Sequence, residues 1–284
     1  MQTVFIAGAT GYLGRHLCAE YRARGWRVRA LVRDLRRAQD LPAHEMCQAE
    51  ATRPQTLAGV MDGADLVISA LGITRQPDGL GYWDVDYQAN LNLLDEALRA
   101  RAGRFAYVHV LNAGQMSDVP LVAAKAAFVR ALQAADIAST VIAPSGYFSD
   151  MADVLAMARS GRVWLFGSGA QRINPIHGAD LATATADAVD RGLTWLDVGG
   201  PDILSQNDIA QAAIAAIGRP AKITRLPDWL RRAALVVLPR LTPRRIHGPA
   251  EFFLSALGRD MVAAPQGTRH LDDHFAELAA QGHG

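Results

Sequence analysis

Thr3-Val4-Phe5-Ile6-Ala7-Gly8-Ala9-Thr10-Gly11-Tyr12-Leu13-Gly14-Arg15 is the stretch whose reading decides the fold. Residues 3–7 are apolar or β-favouring and predict a strand. Glycines at 8, 11 and 14 follow, and a helical period runs from Tyr12 to Arg24 until Gly25 stops it in the position of a C-terminal cap. Glycine has no Cβ and accepts positive φ, so the chain turns sharply and an anion can approach the N-terminus of the helix. There the backbone N–H groups and the helix dipole favour negative charge. In this context Gly8, Thr10, Gly11, Tyr12, Leu13 and Gly14 are expected to hold the pyrophosphate of a dinucleotide. The competing reading is an ordinary strand-to-helix turn.

Outward from this turn, short β-rich runs alternate with longer helix-period segments, the pattern of a parallel sheet covered on both faces. Strands are expected near 3–7, 27–32, 45–49, 65–70, 104–111, 138–143 and 194–198. Helices suit Gln55 to Met61, Val85 to Ala100, Val122 to Ala134, Ala179 to Arg191 and Ser205 to Ile217. The expected fold class is α/β, a doubly wound parallel sheet of Rossmann type with a smaller, interleaved C-terminal substrate lobe. The Rossmann core is assigned to 1–144, and 145–284 is read as a mixed segment that returns to the sheet at about 176–200.

The chain carries 29 basic and 28 acidic residues, for a formal charge of +1, so nothing marks a nucleic-acid partner. Cys18 and Cys47 stand alone and read as small buried apolar residues, which suits a reducing compartment. The N-terminus runs straight into the first strand, without a secretory pattern, and a cytoplasmic location is expected. The apolar run Ala233 to Leu238 lies between Arg231-Arg232 and Pro239-Arg240, far short of the roughly 20 residues that cross a bilayer. Two readings of 229–241 stand, a helix packed on its own protein and an interfacial helix in peripheral contact with a membrane.

The glycine spacing resembles that of the short-chain dehydrogenase/reductase superfamily. Asp65 to Gly72 is similar to its fourth strand and Asn92 to Ala97 to the following helix. Asn174 to Ala182 resembles a late segment of its extended and atypical branches. The resemblance covers most of residues 1–205 and is greatest to the atypical, NmrA-like NAD(P)-binding group, which includes divinyl chlorophyllide reductases, isoflavone reductase-like enzymes and a complex I accessory subunit. It implies cofactor contacts from Ala70, Leu71 and Gly72 after the fourth strand.

The end of the second strand bears on which dinucleotide is bound. Asp34 lies where a carboxylate accepts hydrogen bonds from the adenosine ribose diol, which means NAD. Arg33 lies where a guanidinium pairs with a 2′-phosphate, which means NADP. Arg15 opposes the helix dipole in the first turn unless an anion is near, and in the resembling families a basic residue there accompanies NADP. NADPH is therefore expected over NADH.

The superfamily's Tyr-x-x-x-Lys element corresponds to Leu121-Val122-Ala123-Ala124-Lys125, in which the lysine is present and the tyrosine is not. No serine stands in His109 to Ala113, and Asp86 occupies a place often held by asparagine. The resemblance assigns Lys125 to the nicotinamide ribose and to proton donation; the alternative is a surface lysine. Pro144, Ser145 and Gly146 follow the sixth strand, where open α/β sheets bind ligands, and are expected at the nicotinamide. Tyr147 is a candidate substitute proton donor or an aromatic wall of the pocket.

His177 reads as structural, and His109 as a satisfied core histidine. His270 and His274 lie one helical turn apart without an evident third ligand, so no metal is expected and a solvated helix is. Residues 162–169, with Phe148, Met151, Trp229, Phe252 and Phe253, are candidates for an apolar pocket. Two functions follow from these readings. One is an NADPH-dependent reductase of a small, largely apolar substrate. The other is a non-catalytic NAD(P)H-binding sensor or accessory subunit with a protein partner.

Overall fold

The computed structural model describes residues 1–73 and 79–281. The chain forms two compact units. One comprises Met1–Ala143 and Leu181–Leu196, the other Pro144–Asp180 and Asp197–Gly284.

The first unit is built on strands β1 (Thr3–Ala7), β2 (Arg27–Val32), β3 (Glu45–Gln48), β4 (Leu66–Ser69), β5 (Arg104–Val108), β6 (Ala138–Pro144) and β9 (Trp195–Val198), in the order β3-β2-β1-β4-β5-β6-β9. Pairing from β3 through β6 is parallel throughout. Val4 of β1 is in register with Val28 on one side and Leu66 on the other. The strand order reverses between β1 and β4, and at such a switch point the connections leave toward opposite faces and open a crevice beyond the strand ends. Helices α1 (Tyr12–Ala23), α2 (Asn90–Arg99), α3 (Pro120–Ala134) and α5 (Gly178–Asp190) connect these strands. Phe5, Val67, Phe105, Tyr107 and Phe128 are among the side chains that pack one face of the sheet into a dry core. Arg24 closes α1 onto α5 by reaching both Asp187 (2.6 Å) and Asp190 (2.8 Å).

Three local expectations need correction. The helix over Gln55 to Met61 is only a 3₁₀ turn, Pro54–Leu57, because Gly59 takes φ +80° and ends it. The strand expected over 104–111 stops at Val108, since the chain turns away and Asn112 adopts a left-handed φ of 55°. The helix expected from Val85 begins as a π-helical turn, Trp83–Ala89, before α2 starts.

The second unit contains α4 (Phe148–Arg159), β7 (Arg162–Phe166), β8 (Arg172–Ile173), β10 (Leu204–Ser205), α6 (Gln206–Ile217), β11 (Lys222–Leu226), α7 (Asp228–Leu241), α8 (Arg244–Leu257) and α9 (Leu271–Gln281). β7 pairs with β11 in parallel, and β8 pairs with β10 antiparallel. Phe148, Leu155, Val163, Leu165, Ile209, Leu271 and Phe275 form a core of their own. The last helix is thus not simply solvated: α9 buries Leu271, Phe275 and Ala279 at helical spacing.

Two residues from the stretch 174–182 staple this unit. The fully buried Asn174 donates to the carbonyls of Gly200 and Ala263 (3.0 Å each) and accepts from the Ala263 N–H (3.0 Å). The Asp180 carboxylate accepts the N–H groups of Thr268 (3.1 Å) and Arg269 (3.0 Å) and pairs with the Arg269 guanidinium. Buried backbone groups left unpaired cost about 1–3 kcal/mol each. Asn174→Ala is therefore expected to lower stability by about 3 kcal/mol in urea unfolding, with an unchanged m-value.

Candidate cofactor site

The turn between β1 and α1 is shaped by backbone packing that only glycine permits. Gly8 has φ +78°, and a Cβ there would stand 2.7 Å from the Ala70 carbonyl oxygen. A Cβ at Gly14 would stand 2.1 Å from the Gly8 carbonyl oxygen. Gly11 is the N-cap of α1, so no side chain caps the helix, and its first turn carries no acid. What remains is a concave N-terminus lined by main chain, the arrangement that accepts a phosphate. A Cβ at Gly8 or Gly14 would force this turn open, and with the turn as it is the residues present fit a dinucleotide.

Arg15 is exposed, and its Nε donates to the Thr10 carbonyl (3.3 Å), across the turn. Arg33 is exposed at the end of β2. The Asp34 carboxylate is engaged locally. Its Oδ1 accepts the Arg36 N–H (2.9 Å), capping the 3₁₀ turn Leu35–Ala38, and faces the Arg36 guanidinium at 3.4 Å.

The loop after β4, Ala70 to Gly72, is held from below. The buried Ser69 hydroxyl lies 2.5 Å from Asn90 Oδ1 and accepts the Leu71 N–H (3.2 Å). Asn90 in turn donates to the carbonyls of Val85 and Asp86 (3.1 Å each) in the π-helical turn Trp83–Ala89. Under Gly72 lies a buried ion pair, with Lys125 Nζ 3.2 Å from Asp86 Oδ1. Lys125 is 12 % exposed and Asp86 fully buried, so the surface reading of this lysine fails. The ammonium also donates to the Val108 carbonyl (3.2 Å) and the Tyr107 hydroxyl (3.4 Å). Burial pushes the Asp86 carboxyl above the usual carboxylate range, against the opposing pull of the Lys125 ammonium. A Cβ on Gly72 would come within 2.7 Å of Asp86 and 2.9 Å of Lys125 Nζ, so the loop passes directly over the pair.

Leu121 is buried in the core and offers no donor, but a phenol does reach the lysine, from Tyr107 on β5. Sequence spacing hid it, because Tyr107 and Lys125 belong to different elements. His109, expected to be a satisfied core histidine, is not: it is 4 % exposed and its Nδ1 finds no hydrogen-bond partner among the described residues. Burial, then the Lys125 charge, push its pKa down to about 3.

In the second unit, Pro144 ends β6, and the buried Ser145 donates its hydroxyl to the Asn174 carbonyl. A Cβ on Gly146 would meet Ile173 at 3.0 Å. Half-buried Tyr147 caps α4, and its N–H donates to Asp150 (3.4 Å), whose carboxyl is pushed up to about 6 by burial. Nothing in the sequence pattern marked Asp150. The His177 ring accepts the Ala179 N–H (3.1 Å). His270 lies against Asp202 (2.8 Å) while His274 stacks near Phe148 and His177, so the two histidines serve different contacts. Among the described residues no group of three or more His, Cys, Asp or Glu is placed to hold a metal ion. The residues expected to line one apolar pocket divide: Phe148, Val163 and Leu165 are core, whereas Trp229 and Phe253 are exposed.

Residues 8–191 match the model of a family described as NAD(P)H-binding. Among curated relatives, the photosystem II assembly factor Ycf39 of Cyanophora paradoxa is 25% identical over 232 residues, covering 79% of this chain and 72% of its own. A ceramide reductase of Caulobacter vibrioides is 29% identical over 240 residues, covering 79% and 74%. The solved NADPH-dependent quinone oxidoreductase QOR2 of Escherichia coli, complexed with NADPH, superimposes with a TM-score of 0.75 at 19% identity over 99% of this chain and 100% of that one.

Two measurements check this geometry. Gly11→Ala, whose Cβ would stand 3.2 Å from the Gly8 carbonyl at a φ that alanine adopts, is expected to fold yet bind dinucleotide at least about tenfold more weakly by calorimetry. Because the folded pKa of His109 lies below its ordinary 6.5, the neutral ring favours the folded state. That contribution is fully present above pH 6.5 and is lost as pH falls toward about 3. His109→Gln is expected to flatten the loss of stability across that window relative to the unsubstituted protein, read by urea unfolding at several pH values.

Proposed function

The chain belongs to the NAD(P)H-binding family, and from that premise we propose that it is an atypical short-chain reductase that takes hydride from NADPH and delivers it to a small, largely apolar acceptor. The observation that carries this reading is the main-chain cradle at the N-terminus of α1, next to a buried, ion-paired lysine beneath Gly72. The N–H groups of the turn from Gly8 to Gly14 hold the pyrophosphate. Arg33 and Arg15 meet the 2′-phosphate, while the Asp34 carboxylate is turned to the N–H and guanidinium of Arg36. Ala70 to Gly72 contribute a loop whose position is fixed by Ser69 and Asn90.

When bound, the dinucleotide supplies a hydride. Lys125 supplies a fixed positive charge that stabilises the negative charge developing on the acceptor oxygen, and it is a proton source. Asp86 keeps that ammonium in place. Tyr147, the other candidate donor, lies in the second unit, where its backbone N–H meets the Asp150 carboxyl. An apolar acceptor agrees with the ceramide and quinone named for two of the compared reductases.

A second reading rests on a specific observation. The Lys125 ammonium is engaged by Asp86, Tyr107 and the Val108 carbonyl, all internal to the protein, and Leu121 stands where the superfamily's phenol would be. Bound NADPH is then structural, and the protein acts through a partner, as the name of the Ycf39 relatives describes for them.

NADPH oxidation followed at 340 nm across quinones, enones and aldehydes separates the two. Turnover of at least one acceptor is expected. Lys125→Met is expected to lower kcat by about 10²–10⁴-fold while changing NADPH affinity far less. Arg33→Ala is expected to weaken NADPH by about tenfold and leave NADH unchanged. Tight NADPH binding with no turnover on the whole panel would favour the accessory role.

A further inference from the structure

We propose that the α7–α8 hairpin docks this protein peripherally on an anionic lipid surface. On α7, Trp229, Ala233, Val236, Val237 and Leu241 recur at helical spacing and form one apolar stripe. On α8, Ile246, Ala250, Phe253 and Leu257 do the same. Surface helices ordinarily turn such a stripe toward the core. Here it faces outward: Leu241 is 77 % exposed, Trp229 64 %, Val236 56 % and Ile246 53 %.

The most deeply buried side chains of the hairpin are nevertheless polar, set among half-buried Leu230, Leu235 and Leu238. Arg231 is only 8 % exposed and Ser255 only 5 %. The Arg231 guanidinium donates to Asp228 (2.7 Å) within α7 and to the Leu254 carbonyl (2.9 Å) on α8. It also packs so closely over Gly258 that a Cβ there would lie 2.5 Å away. This clamp sets the orientation of the two helices, so the outward stripes are built into the unit.

Charge identifies the occupant. Residues 228–257 hold five arginines against Asp228 and Glu251, whereas the rest of the chain is net acidic. Arg232 is 75 % exposed beside the stripe, and Arg240 is exposed next to Leu241. Apolar side chains flanked by arginines, with a tryptophan at one end, suit the boundary between acyl chains and anionic headgroups. There the stems bury while the guanidiniums meet phosphates. No described helix is long and apolar enough to cross a membrane, so the attachment is to one leaflet. Docking holds whether or not the chain turns over a substrate.

The test is co-sedimentation of the full chain with vesicles of phosphatidylcholine alone and of phosphatidylcholine mixed with phosphatidylglycerol. Binding to the anionic vesicles is expected to be at least about tenfold stronger and to weaken with salt. Val237→Asp/Leu241→Asp and Arg232→Gln/Arg240→Gln are each expected to lower it by about tenfold or more with unchanged NADPH affinity, and the first pair, whose side chains are exposed, with an unchanged thermal melt. Quenching of tryptophan emission by brominated lipid, present in the unsubstituted protein and reduced in Trp229→Phe, reads the insertion without a destabilising change. Absence of binding, equal binding to neutral vesicles, or unchanged binding by both double variants overturns the proposal. A dimer in solution that dissociates in Val237→Asp/Leu241→Asp, without vesicle binding, reassigns the face to a second copy of this chain.

Discussion

Between Gly14 and the carbonyl of Gly8 there is no room for a methyl group, since a Cβ would sit 2.1 Å from the oxygen. This contact lets α1 begin immediately after β1 and brings its N-terminus against the end of the sheet. The same turn abuts Ala70, so the loops after β1 and β4 touch at the point where the strand order reverses. The crevice expected of a doubly wound sheet is thus closed at its base by main chain alone, which leaves backbone N–H groups and the helix dipole as its chemistry.

A second constraint follows from placing a lysine in an apolar helix. An ammonium removed from water is costly without a counter-charge, and a carboxylate buried without one is equally so. Lys125 and Asp86 solve both problems together, and the π-helical turn that brings Asp86 under Gly72 also presents the Val85 and Asp86 carbonyls to Asn90. The loop that the pair supports is the same loop that meets Gly8. Cofactor cradle and buried charge are therefore one mechanically continuous piece of the first unit.

The second unit obeys different rules. Its core is ordinary, but its last segments are stitched by side chains that substitute for regular sheet pairing. Asn174 and Asp180 satisfy the backbone of residues 263–269, stretches with little ladder of their own. Its α7–α8 hairpin carries a local inversion of the usual pattern, burying Arg231 while leaving Val236 and Leu241 exposed. Such an inversion persists because Arg231 finds both a carboxylate and a carbonyl, so burying it leaves no unmet charge.

Local sequence was sufficient for the turn, the alternation of strands and helices and the family resemblance, because each depends on residues near one another in the chain. Gly8, Gly11 and Gly14 announce a backbone conformation, and period-2 and period-3.6 patterns announce elements. Propensity alone misjudged 55–61 and 109–111, where Gly59 and the left-handed Asn112 end the elements early. Long-range contact decided the rest. Tyr107, Asp86 and Lys125 meet only because β5, the π-helical turn and α3 pack together, and no spacing along the chain encodes that distance. The sequence by itself determined that a glycine-shaped turn opens α1 directly after β1. Only the tertiary structure decided that Lys125 is a buried, ion-paired charge and that the apolar stripes of α7 and α8 face outward. The reason is that burial and pairing belong to the packed whole and not to any one segment.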